Sequence, residues 1–337
     1  MKIISIEEHV SDPALSQACH KAQSIEAPYF GDWARQSKDA PDTRLAGAAT
    51  AMRLAQECGE DRIADMDANG IDMQILSYSN SPQLLAPAEA IPLTRDANDK
   101  LAVMVNAHPT RFGAFATLPW SDPQAAADEL KRCVETLGFK GALLTGRPGD
   151  TFLDDPRYAP VLAAAADLNV PLYLHPGVPL PVVQQAYYSG FDPDVSARFS
   201  LFGWGWHCEP GVQLVRMMLA GVFERYPALQ VISGHWGEMV PFFLARLDEM
   251  IPPSISGLPR TLAETFKQQV YVTPSGMFDL PHFQFIHQVV GADRIMYAVD
   301  YPYLNNQGAR AFLENAPISL SDKEKIAHGN AEKLFNL

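Results

Sequence analysis

The chain has 337 residues, with 39 acidic and 26 basic side chains and a formal net charge of −13. Its 47% apolar and 19% charged residues match a soluble globular protein with enough apolar surface for a large core. An acidic chain without a Lys/Arg cluster lacks the positive charge that phosphate binding draws on, which argues against a nucleic-acid partner.

The opening run, MKIISIEEHV, is too short and too acidic for a signal peptide. Apolar stretches are of strand length, below the ~20 residues that span a bilayer, so no membrane partner is expected. Cys19, Cys58, Cys133 and Cys208 lie far apart with no CxxC pair. That spacing suits reduced thiols in a cytoplasmic protein.

In chain order, the strand candidates are 3–9, 71–78, 112–119, 138–146, 171–176, 229–235, 270–276 and 294–302. Most are continuous apolar runs, as expected when both faces of a parallel strand are covered. Helix-like stretches alternate with them. One spans DPQAAADELKRCVETLG, with Asp122 as N-cap and Gly138 as stop; others span 208–226 and 238–250. Eight such units predict one α/β domain over 1–337, a single (β/α)8 TIM barrel, for which ~250 residues is typical. The surplus is expected in two inserted loops, 10–45 after strand one and 178–207 after strand five. The second is rich in aromatic side chains (Tyr187, Tyr188, Phe191, Phe202, Trp204, Trp206) that could wall a pocket.

Barrel chemistry sits at the C-terminal ends of the strands. Strand one ends Glu7-Glu8-His9, and alternation puts Glu7 and His9 on one face and Glu8 on the other. Strand five ends at His175, strand six at His235 and strand eight at Asp300. A lone histidine at a strand end is commonly structural, and Asp300 could simply start a turn. Converging on one mouth, Glu7, His9, His175 and Asp300 would instead make an N2O2 shell for one divalent metal, Zn2+ or Mn2+.

His235 heads a second motif, GHWGE. Glu238 lies within helical reach and would fix the imidazole tautomer, as a general base or proton relay; it could also cap a helix, and the two readings are compatible. Arg246, placed about three turns along the same helix, could support the site or pair with Asp248 or Glu249. His207, in WGWHCEP, could reach the pocket from the aromatic loop but is set down as structural; His20, His108, His282, His287 and His328 are left as structural or solvated. Lys140, inside strand four, leaves a modified bridging lysine open. No GxGxxG, Walker or GxSxG pattern is present.

The segments EEHV, RIADMDANGIDMQILS (62–77), 111–144, LYLHPGVPLP (172–181), 221–248, YVTPSGMF (271–278), GADRIMYAVDYPY (291–303) and GNAEKLF (329–335) resemble the amidohydrolase-related superfamily. Within it, the likeness is to the branch with γ-resorcylate and 2,3-dihydroxybenzoate decarboxylases. It covers nearly the whole chain except 10–45 and 183–207. The resemblance implies one divalent metal on Glu7, His9, His175 and Asp300, with His235 and Glu238 as the proton-handling pair and Arg246 close by. It also implies a small aromatic carboxylate substrate and a homodimer or homotetramer. Trp236 stands where the family often has Met, and Ser275-Gly276-Met277 departs from its SGN.

The reaction expected is nonoxidative loss of CO2 from an ortho-hydroxybenzoate, with Asp300 or a water near it as acid. A hydrolase or hydratase of a lactone, amide or unsaturated diacid stays open on the same barrel.

Overall fold

A computed structural model describes residues 1–29, 31 and 43–337. Part of the first predicted insertion, 30 and 32–42, therefore lies outside the described residues. Among the described residues, seven strands form two parallel sheets. The first has the order β1 (Ile4–Val10), β2 (Met73–Tyr78), β3 (Phe112–Ala114). The second has the order β4 (Ala142–Thr145), β5 (Leu172–His175), β6 (Val231–Ser233), β7 (Val270–Val272).

The ring is not completed by continuous ladders; single bridges span its seams. Ala116 pairs with Ala142 between β3 and β4, and Val272 pairs with Ile295 after β7. The eighth predicted segment, 294–302, pairs with β1 only at Ser5–Tyr297 and Glu8–Tyr301. Backbone bonds reinforce that contact, among them Asp300 N–H to the Glu7 carbonyl at 3.0 Å. Asp300 has a left-handed φ of 67°, which turns the segment out of a regular strand where the chemistry begins.

The interior of the ring holds Ile4, Ile6, Ile75, Leu143, Tyr173 and Ile232, and Phe335 of the C-terminal helix packs against Phe115. Burying each such aliphatic side chain contributes about 1.5–3 kcal/mol. Strict alternation from Ile4 and Ile6 would turn Glu7 outward. The β1–β2 register shifts between Ser5 and Glu8, and this irregularity brings Glu7 and His9 inward above the two isoleucines.

Asp122 caps the Pro123–Glu135 helix as expected, accepting from the Gln124 and Ala125 N–H groups at 3.1 Å each. The 178–207 insertion folds into two short helices, Pro181–Tyr187 and Pro193–Ser200, leading into Gly205–Leu219. Among the described residues, no helix is long and apolar enough to cross a membrane.

Candidate active site

The four expected ligands come together, two from β1, one from the end of β5 and one from the 294–302 segment. One donor atom from each of Glu7, His9, His175 and Asp300 lies within 4.8 Å of all the others. His9 Nε2 is 3.2 Å from Asp300 Oδ1, and His175 Nε2 is 3.5 Å from Glu7 Oε1.

What holds these side chains is a set of neighbours on their far sides. Glu7 Oε2 accepts from the hydroxyls of Tyr173 and Ser275, with Thr273 Oγ1 at 3.5 Å. His9 Nδ1 is 3.2 Å from Ser77 Oγ, and His175 Nδ1 is 2.8 Å from the Pro176 carbonyl. Glu7, His9 and His175 thus each keep one side-chain atom tied and turn the other toward the centre. The free atoms Glu7 Oε1, His9 Nε2 and Asp300 Oδ1 are buried and have no hydrogen-bond partner. Buried polar atoms left unpaired are costly, and a cation at their common centre would satisfy them together. The residues present fit a single divalent metal.

Tyr173, Thr273 and Ser77 were not singled out from the sequence, and Ser275 was named only within the departing Ser275-Gly276-Met277 segment. Their only signal is polarity inside otherwise apolar strands, as in VYVTPSG. Gly234 is required here, since a Cβ would come within 2.8 Å of Ser275 Oγ and 3.1 Å of Glu7 Oε2.

GHWGE does not open a helix. His235, Trp236, Gly237, Glu238 and Met239 all have positive φ, between 45° and 84°. With Ser275 and Asp300, six of the eight non-glycine residues of positive φ among those described lie at or beside the site. Such concentrated backbone strain is characteristic of functional loops. This left-handed turn folds Glu238 back under His235, so that Oε1 lies 2.9 Å from Nδ1. The opposite ring nitrogen, Nε2, faces Asp300 Oδ2 at 3.7 Å. Trp236 Nε1–H donates to the Met277 carbonyl at 2.8 Å, so the two departures from the family pattern contact each other.

The electrostatics follow from burial and charge. Burial disfavours charge on His235, but Glu238, Glu7 and Asp300 outweigh it and raise its pKa well above the ordinary value. Burial would likewise raise Asp300, yet His235 and His9 hold it well below the carboxylate range. Glu238, fully buried, is also held low, by His207 and His235. Burial followed by the charge of His9 pushes His175 well down, toward the neutral imidazole that ligates metals.

Three expectations need correction. Arg246 lies on the Val240–Met250 helix, which the left-handed turn separates from His235. Its side chain is 63% exposed and pairs with Glu249 at 2.9 Å, so within one chain it is surface-paired and outside the cluster. The aromatic wall is narrower than expected. Tyr187 and Trp204 are exposed, Tyr188 packs on Phe199, and Trp206 approaches the cluster, 6.3 Å from the His175 ring. His207, set down as structural, instead joins Glu238, Nδ1 to Oε2 at 2.9 Å. Lys140 precedes β4, at the end of the barrel opposite the cluster. His282, His287 and His328 pair with acidic neighbours away from the site.

A family model described as amidohydrolase matches residues 30–337. The chain belongs to the amidohydrolase family. A γ-resorcylate decarboxylase of Polaromonas sp. is 38% identical over 290 residues, 82% of this chain and 86% of that one. A dihydroxybenzoic acid decarboxylase of Polaromonas sp., solved with manganese and the inhibitor 2-nitroresorcinol, is 32% identical with a TM-score of 0.83, covering 100% of this chain and 97% of that one. The 5-carboxyvanillate decarboxylase of Novosphingobium aromaticivorans, with manganese and 4-hydroxy-3-methoxy-5-nitrobenzoic acid, gives 0.87 at 32% identity, covering 100% and 96%. These relatives are carboxy-lyases acting on aromatic carboxylates, and the two structures hold manganese.

Proposed function

We propose that the protein is a metal-dependent nonoxidative decarboxylase of an ortho-hydroxy aromatic carboxylate. The observation that carries this reading is Asp300, one of whose oxygens faces the metal cluster and the other the Nε2 of His235. A group placed between ligands and a proton-handling pair suits a reaction that moves one proton and redistributes charge over a ring.

A divalent cation, when bound, supplies Lewis-acid stabilisation of negative charge on substrate oxygens. Glu7, His9, His175 and Asp300 would hold it, and manganese is the ion found in the solved relatives. His235 takes up and gives back a proton at Nε2, because Nδ1–H is committed to Glu238 Oε1. That proton passes by way of Asp300 Oδ2 to the ring carbon bearing the carboxylate. The carbon–carbon bond then breaks, its electron pair restores the aromatic ring, and CO2 leaves. Trp206 walls the mouth and limits water access.

The finer expectation of a homodimer or homotetramer is supported by an exposed apolar patch, Phe242, Phe243 and Phe285, with ring centroids 5.3 and 5.8 Å apart. Light scattering giving two or four times 37.0 kDa would agree, and a monomer would refute it.

The test of the activity is incubation of the manganese-loaded protein with a panel of ortho-hydroxybenzoates, including a hydroxynaphthoate, while released CO2 and ultraviolet spectra are followed. Metal-dependent CO2 release is expected. Silence across the panel with metal confirmed bound, together with turnover of a lactone or an unsaturated diacid, would replace the reading with hydrolysis or hydration.

A further inference from the structure

We propose that His207 is a positioning residue for His235, acting through Glu238. The inference deepens the decarboxylase reading, and its kinetic arm rests on that reading. Glu238 is buried, and each of its oxygens meets one imidazole: Oε1 the Nδ1 of His235 and Oε2 the Nδ1 of His207, both at 2.9 Å. An ionised carboxylate only accepts, so both rings must present Nδ1–H to it. For His235 that choice leaves Nε2 turned to Asp300. Glu238 can impose it only while its own orientation is fixed, and the second donor, His207, supplies that constraint.

His207 is itself held from its far side. Its Nε2 lies 3.2 Å from Trp206 Nε1 and 3.0 Å from the Phe202 carbonyl, and its ring is 4.6 Å from that of His235. Trp206 in turn stands edge-on to His175. The end of the aromatic insertion therefore packs against both a metal ligand and the carboxylate that sets the base. Without His207, a buried oxygen of Glu238 loses its donor and the carboxyl is free to turn or to take up a proton. His207 ends the 183–207 stretch that the family resemblance leaves out, whereas His235 and Glu238 lie inside a stretch it covers.

The test compares three variants. In His207→Asn the amide nitrogen falls where Nδ1 stood and can still donate to Glu238. In His207→Gln the amide reaches only to the place of Nε2, and His207→Ala has no donor. Nitrogen NMR of histidine-labelled, zinc-loaded protein, taken at alkaline pH where the His235 ring is neutral, reads its tautomer without any substrate. Wild type and His207→Asn should show protonated Nδ1, and the Gln and Ala variants a mixture. With the best substrate, the Gln and Ala variants should lose at least about tenfold in kcat with little change in KM, and His207→Asn should recover most of it. Metal content should not change. If His207→Ala does not fold, the Asn and Gln pair decides. An unaltered His235 tautomer with kcat within about twofold in the Gln variant would overturn the proposal. If wild type decarboxylates nothing, the function reading falls, and the tautomer signals still judge His207.

Discussion

Asp300 and His235 face each other across 3.7 Å, Oδ2 to Nε2, while the other Asp300 oxygen lies 3.2 Å from His9 Nε2. One carboxylate thus belongs both to the metal cluster and to the proton-handling pair. Its backbone, in the left-handed region, is held on both sides by Glu8, which accepts the Val299 N–H at 3.0 Å and the Tyr301 N–H at 3.2 Å.

If Glu7, His9, His175 and Asp300 share one metal, single replacement of any by Ala should lower occupancy from about one ion per chain to a small fraction, since each closes a tetrahedral-type donor set. Elemental analysis after dialysis reads this. Full occupancy in all four variants would sink the assignment.

His235→Asn removes the Nε2 that faces Asp300 and leaves the four ligands in place. Metal content should be unchanged and kcat should fall by about 10²–10⁴, the range for a lost proton-transfer group. Unchanged turnover would refute the role.

Glu8 has a structural task. It accepts from Ser5 and from two backbone N–H groups flanking Asp300, and buried Arg62 approaches it through Gln74. Glu8→Ala should cost about 2–5 kcal/mol in urea unfolding, because two buried N–H groups lose their acceptor and the buried Arg62 guanidinium loses a nearby negative charge. Burial pushes the Glu8 pKa up to about 7, against the Ser5, Val299 and Arg62 contacts. A carboxyl raised in the fold contributes stability that is complete below its unfolded value of 4.5 and lost as pH rises toward 7. The stability difference between wild type and Glu8→Gln should therefore shrink from pH 5 to 7. A difference independent of pH would contradict the shift.

Trp206→Ala opens the mouth beside His175. KM for an aromatic substrate should rise about tenfold, equivalent to 1.4 kcal/mol of lost binding, with metal retained. Steady-state kinetics at saturating metal would show it, and an unchanged KM would remove Trp206 from the pocket.

Much of this site could be read in the sequence because polar residues stand out at the ends of apolar runs. Glu7, His9, His175, His235 and Asp300 are all of that kind. The parallel α/β plan was legible for the same reason, since buried strands read as continuous apolar stretches. The shift in β1 was not, because Ile4 and Ile6 share the interior with Glu7 and His9 only through a local irregularity. The left-handed turn was also hidden. GHWGE read as the start of the helix that bears Arg246, whereas that helix begins only at Val240, after the left-handed turn. His207 was visible as a residue, but its partner is 31 positions away and is brought near only by folding.

The most direct test runs the reaction in D2O with manganese-loaded protein and the best substrate of the ortho-hydroxybenzoate panel. One CO2 per turnover and one deuterium on the ring carbon that carried the carboxylate are expected, both abolished when the metal is stripped. Product formed without CO2, or CO2 release that persists after metal removal, would contradict the metal-dependent decarboxylase reading.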